Sequence, residues 1–320
     1  YLFSILMKVF LKRILIFFLV AIPGYCVILV AWSNLIPFEA FKKNMNYKMG
    51  SYGHMYTRTN EANNIQKTDV LVLGSSHAYR GFDPRIFKNE GIELFNLGSS
   101  NQTPRQGLVL LKEYLNQVKP ELVIYEVYPG IFQQDGLEST LDILANGPFS
   151  WPVATLAFKA NHIKAYNALI NRAFLQFCGT YESYNEPLVK PKDGDTYVRG
   201  GYVQKDDSYV RAQSIKNAYS WNIRQDQWSY FLEIVELLKK EKVELLMVQS
   251  PIDSTYFENI LNNDEVDSRF SGLGNYINFS RLMKLHYKED LYDLHHLKQS
   301  GVEKFNKVLI ETLMEEGYLK

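Results

Sequence analysis

The sequence predicts an α/β protein: a doubly wound parallel sheet of five strands with a long insertion after the third, preceded by one N-terminal transmembrane helix. Three observations carry this. From about residue 68, short β-rich runs alternate with helical patterns. The runs are continuously apolar, as strands covered on both faces are. The 19 residues from Ile14 to Trp32 carry no charge.

Those 19 residues come first along the chain. A helix of that length reaches roughly 28 Å, close to the hydrocarbon thickness of a bilayer. Pro23 and Gly24 are tolerable in a membrane helix, and Trp32 stands where an interfacial aromatic would. A cleaved signal peptide fits less well, because the stretch is long for a signal core and lacks a small-x-small cleavage site. Tyr25 before Cys26 does not suit a lipoprotein signal. Residues 1–33 therefore read as an uncleaved anchor and residues 34–67 as a connector. Lys8, Lys12 and Arg13 precede the apolar stretch, which favours an extracytoplasmic C-terminal domain at the cell membrane; Lys42 and Lys43 on the other side oppose that bias. Cys26 would lie in the membrane and Cys178 outside it, so no bridge between them is expected.

The five strands are expected in DVLVLG (69–74), IELFNLG (92–98), ELVIYEV (121–127), VELLMVQS (243–250) and YINFS (276–280). Helical stripes separate them. Leu108, Leu111, Tyr114 and Leu115 follow Pro104; Trp228, Phe231, Leu232, Val235 and Leu238 precede the fourth strand; Val302, Phe305, Leu309 and Leu313 close the chain. Strands alternating with helices imply right-handed crossovers and a flavodoxin-like order. This α/β domain covers 68–320. The gap between the third and fourth strands exceeds one crossover, so about 131–222 reads as an insertion. Its stretch 150–178 is helix-like. Its stretch 180–210 reads as a polar loop with Tyr181, Tyr184, Tyr197, Tyr202 and Tyr209, which suit either sugar stacking or loop packing.

The 35 basic and 35 acidic residues cancel. The balance splits into an excess of three positive charges in residues 1–32 and three negative charges beyond them. A mildly acidic domain is a poor match for nucleic acid.

Gly74-Ser75-Ser76-His77 ends the first strand. In a doubly wound sheet, ligands bind beyond the carboxyl ends of the strands, and helical N–H groups there can stabilise an oxyanion. The plainer reading is a tight turn with a capping serine. Asp293-Leu294-His295-His296 precedes the last helix. An Asp three residues before a His can orient the imidazole so that its other nitrogen takes a serine proton. It can equally be a helix cap beside a surface His. A metal held by Asp293, His295 and His296 lacks a further ligand cluster, and no metal or other cofactor is expected. His77 would line the cleft or cap the following helix. His54, His162 and His286 read as surface or locally bonded residues.

Serine after the first strand and Asp-x-x-His before the last helix, joined by βα units, resemble the SGNH (GDSL-like) hydrolase superfamily over residues 68–128 and 225–316. The resemblance implies Ser76 as nucleophile, His296 as base and Asp293 as its partner. Asn96-Leu97-Gly98 matches the block whose glycine N–H serves the oxyanion. The third block's asparagine is missing, since Tyr128-Pro129-Gly130 stands there, and Asn101 is a candidate substitute. Serine in the first block behind an anchor looks like the subset that includes the D-alanyl-lipoteichoic acid transfer protein and proteins of alginate O-acetylation. By that resemblance the chain is a serine acyltransferase or esterase acting on acyl groups of an envelope or exported polysaccharide. Its partners would be that acceptor and a multispanning membrane-bound O-acyltransferase. The alternative is a non-catalytic accessory or glycan-binding subunit of an envelope acylation system.

Overall fold

A computed structural model describes residues 2–42, 45, 47–211 and 218–319. Lys43 lies outside the described residues. The chain opens with helix α1 (Leu2–Leu35), and the next α-helix is α2 (Met55–Ala62). The main-sheet half then runs β1 (Val70–Leu73), α3 (Ser76–Gly81), α4 (Pro84–Asn89), β2 (Leu94–Asn96), α5 (Pro104–Val118) and β3 (Leu122–Glu126). Three helices come next: α6 (Leu137–Asn146), α7 (Trp151–Ala160) and α8 (Ile163–Phe177). A small sheet follows, β4 (Val189–Lys190), β5 (Asp195–Val198) and β6 (Tyr202–Lys205). The chain closes with α9 (Gln225–Glu241), β7 (Glu244–Gln249), α10 (Ser254–Glu258), α11 (Asn263–Ser271), β8 (Tyr276–Asn278), α12 (Phe279–Leu282) and α13 (Gln299–Glu315).

The main sheet is parallel throughout, in the order β2-β1-β3-β7-β8. It contains the five expected strands. Its apolar runs feed two cores because successive strand side chains point to opposite faces. Leu71, Leu73, Val123 and Tyr125 join Leu108, Leu111, Phe231 and Phe270 on one face. Val70, Val72, Leu122 and Ile124 join Phe87, Phe279, Phe305 and Leu309 on the other. The three expected helical stripes are α5, α9 and α13, and each turns its stripe to a core. The strand order reverses between β1 and β3, so the carboxyl end of β1 opens at the switch point.

Three features differ from the sequence reading. The supposed connector contributes α2, whose Met55, Arg58 and Ala62 are wholly buried. The supposed polar loop 180–210 contains an antiparallel sheet ordered β4-β5-β6. Tyr181, Tyr197 and Tyr202 are buried in the protein, so they offer no sugar-stacking face. His54 is also fully buried, 3.7 Å from Glu186, where burial pushes its pKa down to about 4. Mixed polar and aromatic composition conceals all three, because these segments are buried by long-range partners. His162 caps α8 through Lys164 N–H, and both cysteines are free thiols.

Helix α1 is long and apolar enough to cross a membrane, and almost none of its most apolar stretch is buried in protein. It runs beyond the charge-free 19 residues at both ends.

The insertion sheet grips the helix that follows β1. Arg80 of α3 forms a two-pronged ion pair with Asp195 of β5 at 2.9 and 2.8 Å, and Lys205 of β6 reaches the same carboxylate at 3.0 Å. Burial alone would raise the Asp195 pKa, but Arg80 and then Lys205 hold it lower. Arg80→Ala would remove the fork from a buried carboxylate and should destabilise the protein by about 3–5 kcal/mol, read as a lower melting point of the full chain in detergent.

Glu126 ends β3 inside the protein beneath Gly74, with Oε1 3.4 Å from Ser250 N–H. Burial pushes its pKa up from 4.5 to about 8. Between those values the folded state keeps a proton that the unfolded state releases, so stability falls as pH rises through this window. Glu126→Gln should flatten that loss in melting curves between pH 5 and 8.

Candidate functional site

The site lies where β1 gives way to α3. Gly74 has φ +138°, and a Cβ there would meet Glu126 Cβ and carbonyl at 2.9 Å, so glycine allows the sharp exit from the strand. The two serines then divide their work. Ser75 is the N-cap of α3, its hydroxyl accepting from His77 N–H at 3.4 Å. Ser76 occupies the first helical position, whose N–H has no acceptor within the helix.

The loop before α13 supplies the opposite wall. Tyr292 N–H donates to the His296 carbonyl at 3.1 Å, and Asp253 N–H to the Leu294 carbonyl at 3.0 Å. These bonds bring His296 back over α3. Its Nε2 lies 2.7 Å from Ser76 Oγ. Its Nδ1 faces Asp293 Oδ2 at 2.9 Å and Oδ1 at 3.1 Å. Asp293 Oδ1 also accepts the backbone N–H of His296 at 2.8 Å and of His295 at 3.0 Å. Burial would raise the Asp293 pKa, but His296 and then His295 outweigh it and hold the carboxyl well below the usual carboxylate range. Ser76, His296 and Asp293 are thus brought together across 220 residues of sequence.

The oxyanion expectations fare differently. Gly98 N–H donates to Asn96 Oδ1 at 2.9 Å. The glycine is required for another reason. A Cβ there would stand 2.9 Å from Ala78 Cβ and 3.0 Å from the Ser75 carbonyl, so it lets the loop after β2 pack against α3. Asn101 adopts a left-handed conformation with φ 47° and lines the same hollow as Ser76. Its amide nitrogen donates to Glu138 Oε2 at 2.6 Å, which leaves one amide hydrogen for a further acceptor.

His77 was expected to line the cleft or cap the following helix, whereas Tyr219, Trp221 and Tyr256 on the same hollow were not singled out from sequence. His77 is buried, with Nδ1 3.0 Å from Ser75 Oγ and Nε2 3.0 Å from His295 Nδ1. Its ring stacks on Tyr128 at 3.9 Å and on His296 at 4.6 Å. Tyr128 therefore fills the position expected for an asparagine with an aromatic face. Burial, with the neighbouring His296, pushes the His295 pKa down to about 3 and holds that of His77 well below its ordinary value. Both rings are neutral at neutral pH. His77 beside Ser76 and the adjacent pair His295-His296 were the visible signals for this stack.

A hollow of about 350 Å³ opens over Ser76, walled by Tyr128, Tyr219, Trp221, Tyr256 and the histidines. Tyr219 and Tyr256 share a hydroxyl hydrogen bond of 2.5 Å. Among the described residues, His77, His295 and His296 are the one group with nitrogens close enough to hold a metal ion, within 4.8 Å of one another. Asp293 is not part of it. Each of those nitrogens already faces a protein partner, since His77 and His295 face each other and His296 faces Ser76.

No family model matches the chain, and no curated protein matches it by sequence. Solved structures similar to it include an acylhydrolase assigned in Bacteroides fragilis, 12% identical with a TM-score of 0.39, covering 83% of this chain and 99% of that one. A GDSL-like lipase of Bacteroides thetaiotaomicron is 12% identical with a TM-score of 0.38, covering 81% of this chain and 98% of that one.

Proposed function

We propose that the chain is a membrane-anchored serine acyltransferase or esterase acting on acyl groups of a cell-envelope or exported polysaccharide. The observation that carries this reading is the relay Ser76–His296–Asp293, at 2.7 and 2.9 Å. Ser76 Oγ attacks the acyl carbonyl carbon of a donor ester while His296 Nε2 takes its proton. The ester C–O bond breaks, and the departing alcohol leaves with that proton. The acyl group is then an ester of Ser76. An acceptor hydroxyl, or water, next gives its proton to His296 and attacks the same carbonyl, and Ser76 leaves as the hydroxyl.

Asp293 stays ionised over the working range, holds one imidazole orientation and stabilises the imidazolium that forms in each half-reaction. The oxyanion would meet the N–H of Ser76 and the remaining amide hydrogen of Asn101. The small, aromatic-walled hollow suits a short acyl group and limits access of water, which favours transfer over hydrolysis. The apolar length of α1 supports an anchor, with the domain extracytoplasmic beside a multispanning acyltransferase.

The full chain in detergent should react with a serine-directed phosphonate, and Ser76→Ala should abolish the adduct seen by mass spectrometry. Labelling that survived would remove Ser76 as the nucleophile. Asp293→Asn should slow labelling by on the order of 10³-fold or more, since the imidazole loses its tautomer and its counter-charge.

A second reading is favoured by the engagement of Gly98 N–H with Asn96 and of the Asn101 amide with Glu138. It makes the chain a non-catalytic accessory or glycan-binding subunit. Complementation separates the two: Ser76→Ala and His296→Ala should both lose envelope acylation if the relay works, and both should retain it under the accessory reading.

A further inference from the structure

Helix α1 is about 51 Å long by its 34 residues, well beyond the roughly 30 Å that a bilayer core needs. Its C-terminal third is accompanied by protein. Tyr25 donates to Asn167 Oδ1 of α8 at 2.5 Å, and Asn34 donates to Asn171 Oδ1 at 2.9 Å. Leu29 and Ser33 between them are buried. The pairings rise together along both helices, so the start of α8 points towards the N-terminal, apolar part of α1. Tyr25 lies seven residues before Trp32, or roughly 10 Å deeper along the helix. That is the depth at which interfacial helices sit.

The surface that α7 and α8 present there is aromatic. Trp151 is 74% exposed, Phe158 55% and Ile163 56%. Trp151 and Phe158 lie on one face of α7, 6.4 Å apart. Phe158 packs at 5.9 Å on Tyr166 of α8. The polar groups at the turn are satisfied locally. Asn161 N–H donates to the Ala157 carbonyl, Tyr166 OH donates to Asn161 Oδ1, and Lys164 N–H donates to His162 Nδ1. Lys159 turns back over the Tyr230 ring at 5.1 Å. A hairpin with an exposed aromatic face suits a lipid boundary.

We infer that the α7–α8 hairpin is a second membrane contact, seated through Trp151, Phe158 and Ile163 in the leaflet on the domain's side. The inference rests on reading α1 as membrane-spanning. It fixes the domain against the bilayer at two places, which a single flexible tether would not. A hollow of about 290 Å³ that shares Asn101 and Gln134 with the Ser76 hollow ends at Lys164 on α8.

The test uses the full chain in phosphatidylethanolamine–phosphatidylglycerol vesicles, with Cys26 and Cys178 replaced by Ser. Single nitroxide labels go on Phe158→Cys, Ile163→Cys, Phe17→Cys in α1 and Asp207→Cys on the exposed edge of the domain. The oxygen-to-nickel-complex accessibility ratio at 158 and 163 should approach that at 17 and exceed that at 207 several-fold. Water-like values at 158 and 163 with a lipid-like value at 17 would overturn the hairpin contact and leave the anchor standing. A water-like value at 17 would overturn both. Shielding of 158 from both reagents would show a protein partner on this face and overturn the lipid contact. In the unlabelled chain, brominated lipid should quench tryptophan fluorescence, and Trp151→Phe should lose part of that quenching. Equal quenching of both would overturn the inference.

Discussion

The buried carboxylate of Asp293 is the constraint on which the site depends. An ionised carboxylate away from water is costly unless hydrogen bonds surround it. Here two backbone N–H groups and the His296 ring supply them. The same bonds that keep Asp293 ionised coil residues 293–296 into one conformation. That conformation aims His296 at Ser76. The rest of the fold delivers the two halves of this contact to one place: β1 and the Gly74 exit for Ser76, and α13 with its preceding loop for His296.

Around that contact, aromatic packing takes over much of what hydrogen-bond donors could have provided. His296 stacks on His77, and His77 stacks on Tyr128. Tyr292 lies parallel to His296 on another side, 5.4 Å away. These rings restrict how His296 can turn and exclude water from it. The loop after β2 is held differently, by a glycine that lets it pack on α3 and by an asparagine amide tied to Glu138. The site combines tightly held rings with few free oxyanion donors.

The sheet was legible because burial on both faces writes continuous apolar runs, and DVLVLG, ELVIYEV and VELLMVQS need no partner to be recognised. The amphipathic stripes of α5, α9 and α13 were legible for the same reason of periodicity. The small sheet β4–β6 was not, because strands of two to four residues that mix Val and Tyr with polar residues are too short to carry such a signal and are defined by pairing alone. Buried α2, which contains Arg58 and is preceded by His54, was hidden by its polar composition. At the site, Ser76, Asp293 and His296 were visible as residue types in a pattern. Their separation in sequence leaves their meeting to the chain path.

By itself, the sequence determined the apolar N-terminal helix, the five-stranded parallel core and the short list of residues able to do serine chemistry. Each is a local matter of side-chain hydrophobicity, its period, or a motif within a few residues. Only the tertiary structure decided that Ser75 caps while Ser76 faces His296, that Gly98 is a packing residue with its N–H engaged, and that His77 and Tyr128 form the floor of the site. It also decided that α8 runs beside α1. Those outcomes are set by distances between segments tens to hundreds of residues apart, which the whole fold fixes at once and no local pattern encodes.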